Sequence, residues 1–349
     1  MDTRVVCIDP YNINHQQLQK AGALIRDGGL VAFPTETVYG LGANGLDAYA
    51  VKRIYGAKGR PSDNPLILHI SSAEELDRLV AGVPQTAVKL MDRFWPGPLT
   101  LILKKSSLVP EAVTAGLETV AIRMPSHPVA MSLIKYAGVP VAAPSANISG
   151  KPSPTRAAHV IRDLLGRVDM IIDGGDVAVG LESTVAEVID GGVVILRPGG
   201  ITPEQIREVV GDVALDPAIE GDILTGIPKA PGMKYAHYSP EADVIIIEGP
   251  PERVVAAIDR MAKELEGRGK RVGIMATEQT GALYRHGRVI SVGDREEPST
   301  IAAGLFAALR EFDALGVDVI LAEGIEQKGV GLAVMNRLLK AAAYHVIKV

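Results

Sequence analysis

The chain has 349 residues, too many for one ordinary compact core, so two domains are expected. Hydrophobic residues make up 47%, charged residues 22% and aromatics only 4%, so Ala, Val, Ile and Leu must fill the interior, as suits buried strands covered by helices. The formal net charge of −5 argues against a protein whose main task is gripping a nucleic-acid backbone, and the single cysteine, Cys7, excludes an intrachain disulfide or a thiolate zinc site.

In chain order, the N-terminus through Cys7 reads as a strand, and it lacks the apolar core of a signal peptide. Short apolar runs at Leu30–Phe33, Leu66–Ile70, Leu99–Leu103, Val120–Ile122, Val139–Ala143, Met170–Ile172, Val185–Ile189 and Val193–Leu196 read as further strands. Between them Ile13–Asp27, Ala48–Ala57, Glu74–Val80, Pro128–Tyr136 and Thr155–Leu165 carry helical patterns. Thr202, Pro203 and Gln205 form an N-terminal helix signature, and that helix should end near Gly211. From Asp212 to Pro240 periodicity is lost amid prolines, which marks a linker or long loop. Alternation then resumes. Strands are expected at Asp243–Ile247, Arg271–Ala276, Val289–Val292 and Val317–Ala322, with helices at Glu252–Leu265, Ser299–Leu315 and Met335–Tyr344. The division predicted is 1–211, 212–240 and 241–349. The first domain should be α/β with a mixed twisted sheet, and the last a small doubly wound, Rossmann-like unit. That unit has no glycine fingerprint after its first strand, which argues against a dinucleotide site. No apolar run approaches the ~20 residues that span a bilayer, so the cytoplasm is the expected location.

Five segments at predicted strand or helix ends share Gly or Pro with hydroxyl, amide or cationic groups. They are PTETVYGLG, AKGRPSDNP, AIRMPSHP, APSANISGKPSPT and LRPGG. Ligands of α/β proteins bind at strand ends, where such loops bring backbone amides close. The cations are Lys58, Arg60, Arg123 and Arg197, with Lys151 weaker; Thr35, Thr37, Ser62, Asn64, Ser145, Asn147, Ser153 and Ser183 supply hydroxyls and amides. This inventory suits a polyanion. It holds no nucleophile–base pair, Cys7 being an implausible nucleophile, and the seven histidines lack zinc-motif spacing. Catalysis by positioning and charge neutralisation remains. Taken singly, each feature has an ordinary explanation: Lys58 and Arg60 as helix C-terminal cations, Ser145 and Asn147 as turn formers, Arg197 as a surface pair, His69 as a half-buried strand residue. Their recurrence on five loops of one sheet favours a site.

In this order the loops FPTETVYGLGAN, KGRPSDNPLILHI, WPGPLTLIL, VAIRMPSHP, APSANISGKPSPT, GLESTV and LRPGG resemble the YrdC/TsaC family of threonylcarbamoyl-AMP synthases. The match is dense over about residues 10–210, and APGMKYAHYSP followed by an α/β region resembles the family's longer, two-domain form. The resemblance implies an enzyme, a nucleotidyltransferase that joins L-threonine, bicarbonate and ATP into an adenylate and releases pyrophosphate. The adenylate would pass to a tRNA-modifying transferase complex, with Mg2+ entering on the ATP. It implies that Lys58 and Arg60 act on phosphate charge, with Asn64, Ser145, Asn147, Ser153, Arg197 and Tyr235 contacting the nucleotide. Thr35, Thr37, His69, Arg123 and Ser183 would surround threonine. Tyr235 and its neighbours in the linker are expected to close over the site as a lid, with simple packing between domains as the alternative. Two other functions stay open on the residues alone: shape-selective binding of double-stranded RNA, and carbamoyl transfer from carbamoyl phosphate.

Overall fold

A computed structural model describes residues 2–189, 192–219, 228 and 238–349. Its strands in chain order are β1 (Arg4–Cys7), β2 (Val31–Phe33), β3 (Gly40–Asn44), β4 (Ile67–His69), β5 (Leu99–Lys104), β6 (Thr119–Arg123), β7 (Val141–Ala142), β8 (Met170–Asp173), β9 (Thr184–Ile189), β10 (Gly192–Arg197) and β11 (Val213–Leu215). These build one sheet in the order β1-β8-β2-β3-β7-β4-β6-β5-β9-β10-β11, with parallel and antiparallel pairs mixed as expected. Five more strands, β12 (Asp243–Glu248), β13 (Val272–Ala276), β14 (Arg288–Ser291), β15 (Val319–Glu323) and β16 (Val346–Lys348), form a second sheet in the order β14-β13-β15-β12-β16. All its pairs are parallel, as in a wound α/β unit.

Through-space contacts divide the chain into two units. The first holds 1–149, 153–178 and 182–234; the second holds 150–152, 179–181 and 235–349.

In the first unit, helices His15–Arg26 and Pro128–Ala137 lay Leu18, Ile25, Leu133 and Ile134 against Val31, Phe33, Val141 and Ile172 of the sheet. Asn14 caps the former by accepting from the Gln17 amide, and the latter begins with Pro128 and ends on Gly138. The helix expected after Thr202 runs from Pro203 to Val210, opens with a capping box to Gln205 and ends at Gly211. In the second unit, Val254, Ile258 and Ala262 of helix Pro251–Gly267 pack on Ile247, Ile274 and Leu321. Among the described residues no helix is long and apolar enough to cross a membrane.

Some elements were not foreseen. β3 was read as loop because it runs GLGAN, and glycine disfavours strands. Here the Phe33 ring and Val141 fill the space a side chain at Gly42 would need: a Cβ there would lie 2.8 Å from both. β11 and β16 are short and lie beside prolines or at the chain end. Helix Gln85–Phe94 is also absent from the sequence expectations, although Ala87, Leu90 and Phe94 repeat at helical spacing and are buried. The last helix begins at Val330 rather than Met335, because Gly329 and Gly331 masked its first turn.

Candidate active site

The site is built where β2, β4, β6 and β10 end. Between Phe33 and Gly40, partners in the β2–β3 ladder, residues 34–39 form a loop fixed by Thr35. Its hydroxyl donates to Val38 O at 2.6 Å and accepts from the amides of Thr37 and Val38, and it lies 2.8 Å from the Thr37 hydroxyl. A Thr side chain bonding its own following backbone makes this turn rigid.

Arg123, the last residue of β6, is only 3% exposed. Its Nε donates to Gly97 O at 3.2 Å and its Nη1 to Thr37 Oγ1 at 2.9 Å. Nη2 lies 2.7 Å from Glu36 Oε1. Its parallel neighbour in the ladder is His69, buried and with Nδ1 3.3 Å from Ile67 O. Burial, and then the charge of Arg123, push the His69 imidazole down to about 3, against an opposing pull from Glu36. His69 is therefore neutral near pH 7. Burial acts to raise the Glu36 carboxyl, but Arg123 and the backbone amides of Glu36 and Ser126 outweigh it and hold it below its ordinary 4.5.

The antiparallel partner of Arg123 is Thr100, whose hydroxyl lies 2.8 Å from Ser183 Oγ. Arg197, at the end of β10, directs Nε and Nη2 to Ser183 O at 3.1 and 2.9 Å, and Nη2 also reaches Ser183 Oγ at 3.2 Å. Thr35, Thr37 and Arg123 thus form one buried polar cluster and Thr100, Ser183 and Arg197 another, joined by the strand pairing of Arg123 with Thr100.

A second group surrounds Lys58, at the last turn of helix Ala48–Lys58 before a left-handed Gly59. Only 1% exposed, its ammonium donates to the carbonyls of Ser145 and Asn147, each at 2.5 Å. The Ser145 hydroxyl donates to Asn147 Oδ1 at 2.5 Å. Arg60, partly exposed, reaches Asn64 O at 3.3 Å and Pro65 O at 3.1 Å, while the buried Asn64 Oδ1 has no hydrogen-bond partner among the described residues. The Thr35 loop adjoins this group, because Ala146 N donates to Tyr39 O and Gly40 bridges Ser145. Ser153 is buried and donates to Glu182, the residue before Ser183.

The structure therefore brings Thr35, Thr37, His69, Arg123, Ser183 and Arg197 into one group, and Lys58, Ser145 and Asn147 into a neighbouring one with Arg60 and Asn64 beside it. It pairs the weaker candidate Lys151 with Glu241 at 3.7 Å, and Cys7 lies exposed on the edge strand β1. Tyr235 and the rest of 231–237, on which the expected lid depends, lie outside the described residues. Sequence reasoning passed over Glu36, Thr100 and Glu182. Glu36 and Glu182 sit inside motifs already singled out, PTETVYGLG and GLESTV, and a charged residue between candidate ligands was the available signal. Among the described residues no group of three or more His, Cys, Asp or Glu could hold a metal ion.

A Sua5/YciO/YrdC family model, described as telomere recombination, matches residues 23–199, and a model described as the threonylcarbamoyl-AMP synthase C-terminal domain matches residues 201–343. Proteins named threonylcarbamoyl-AMP synthase from Pyrococcus abyssi and Bacillus subtilis are 52% and 53% identical to this chain, each alignment covering 97% of both sequences. The crystal structure of P. abyssi Sua5 complexed with L-threonine superposes with a TM-score of 0.95 at 51% identity, covering 99% of this chain and 100% of that one. Escherichia coli YciO, at 28% identity and a TM-score of 0.52, covers 56% of this chain and 96% of its own.

Proposed function

We infer, since this chain belongs to the Sua5/YciO/YrdC family, that it is a threonylcarbamoyl-AMP synthase. The observation that carries the reading is the buried Arg123, clamped by Thr37, Gly97 and Glu36 beside a neutral His69, in a chain similar over its whole length to a threonine-bound structure. A guanidinium fork in that position suits an α-carboxylate. Thr35, Thr37, His69 and Ser183 would line the rest of the amino acid. Lys58, Arg60, Asn64, Ser145, Asn147, Ser153 and Arg197 would face the nucleotide, and Arg197 stands at the border because it bonds Ser183.

Family membership implies the reaction. The threonine amine, once deprotonated, forms a carbamate with bicarbonate (losing water) or with carbon dioxide. A carbamate oxygen then attacks the α-phosphorus of ATP, and the bond to pyrophosphate breaks. Lys58 and Arg60 would oppose the charge that grows on the phosphates. Magnesium would arrive as the counter-ion of ATP and stay on phosphates and water. The adenylate would be consumed by a tRNA-modifying transferase, and the linker carrying Tyr235 would shield a hydrolysable anhydride. Cytoplasmic location belongs to the same reading.

The test is substitution of the cations. Arg60→Ala should lower adenylate formation by ~10²–10³ without loss of fold. Lys58→Ala should lower it at least as far, although it also frees the carbonyls of Ser145 and Asn147. Rates near wild type in either variant, with the product identified by mass, would overturn the assignment.

A further inference from the structure

We propose that Glu36 is a positioning residue: it sets the direction and effective charge of the Arg123 fork, and so governs affinity for the amino-acid substrate without touching it. The inference rests on the reading of Arg123 as the carboxylate fork given above.

The guanidinium of Arg123 has five N–H donors on three nitrogens, and two of them go to neutral oxygens, Gly97 O and Thr37 Oγ1. An arginine only 3% exposed and held by neutral acceptors alone would be an uncompensated buried charge. Glu36 is its counter-ion at 2.7 Å, itself only 8% exposed, and is held ionised by that same arginine. The contact is a close, buried ion pair. Glu36 therefore neutralises and anchors the buried Nη2, so that a ligand carboxylate meets a guanidinium whose plane Glu36, Thr37 and Gly97 have already fixed.

The sequence makes this possible in three consecutive residues. Thr35 locks the turn, Glu36 supplies the charge and Thr37 takes Nη1. Gly97 O fixes the guanidinium from another loop, so the plane of the fork is determined from two sides. Rotation of the fork by a few tens of degrees would spoil a two-point contact with a carboxylate, while the neighbouring Lys58 group keeps its own bonds to Ser145 and Asn147.

The experiment is calorimetric titration of the full chain with L-threonine, L-threoninol (the same molecule with a primary alcohol for the carboxylate) and ATP. Wild type is compared with Glu36→Gln, which keeps shape and removes charge. L-threonine affinity should fall about tenfold or more. ATP affinity should stay within about threefold, and the wild-type preference for L-threonine over L-threoninol should shrink to about threefold or less. An unchanged L-threonine affinity, an equal loss for ATP, or a preference for the carboxylate as large as in wild type would each overturn the proposal. Should Glu36→Gln fail to fold, Glu36→Asp, which withdraws the carboxylate by one methylene, is read by the same three titrations. If wild type binds ATP but ignores L-threonine, the functional reading fails instead, which distinguishes the two.

Discussion

At the scale of single residues, the site works by holding polar groups in states that water would not favour. His69 is the clearest case. Its imidazole is pushed from 6.5 down to about 3 by burial and by Arg123, so the unfolded chain takes up the proton first. His69 therefore costs no stability above its ordinary 6.5, and stability falls as pH drops from 6.5 toward 3, by up to about 1.4 kcal/mol per pH unit. His127, also lowered by burial, adds in the same direction. Glu36 enters only lower, because its contribution is present above 4.5 and lost as pH falls through its depressed folded value. Denaturant unfolding between 6.5 and 4.5 should thus show a slope in wild type that flattens in His69→Asn; equal slopes would mean His69 is not held neutral by the fold. The chemistry of these residues was legible because hydroxyls, amides and guanidinium groups recur in loops ruled by Gly and Pro. Glu36 was not, because a carboxylate among expected anion ligands looks out of place until its arginine is seen 2.7 Å away. Sequence order also could not show that Arg197, expected on the nucleotide, shares Ser183 with the threonine group, since that contact passes between β9 and β10.

At the scale of elements, strands deliver the site residues and glycines allow their loops to close up. Gly199, just after β10, lies against the backbone of 182–184: an added Cβ would come within 2.3 Å of Thr184 N and 2.5 Å of Glu182 O. Backbone cannot yield as a side-chain tip can, so Gly199→Ala should cost about 1–3 kcal/mol. It should also displace Ser183 from Thr100 and Arg197, so that L-threonine affinity falls more than stability alone requires. Gly56, within helix Ala48–Lys58, has open space at the same position. Gly56→Ala should gain up to about 1 kcal/mol and leave binding unchanged. Equal behaviour of the two variants in urea denaturation and threonine titration would contradict this account of the β10 loop. The contrast also explains how elements were read. Periodic apolar runs gave most strands and helices, whereas β3 escaped because its glycines answer to Phe33 and Val141, neighbours in space that no local pattern displays.

At the scale of the whole molecule, the break in periodicity after Gly211 predicts two bodies joined by a linker, but β11 (Val213–Leu215) lies beyond that break and pairs with β10 in the first sheet. The finer partition did not show in the sequence. The first unit continues past Gly211, and the stretches 150–152 and 179–181 group with the second, because membership depends on contacts between distant segments rather than on composition. Arg310 illustrates this: only 4% exposed, it donates from Nη2 to Pro152 O at 2.6 Å across 158 residues of chain. What the whole chain does is tested most directly by pyrophosphate release from the full-length protein. With L-threonine, bicarbonate and ATP together, release should be sustained and accompanied by threonylcarbamoyl-AMP. Omitting threonine or bicarbonate should abolish the threonylcarbamoyl-AMP and the pyrophosphate formed with it. No threonylcarbamoyl-AMP from the complete mixture, or its formation from carbamoyl phosphate in place of bicarbonate and ATP, would contradict the account.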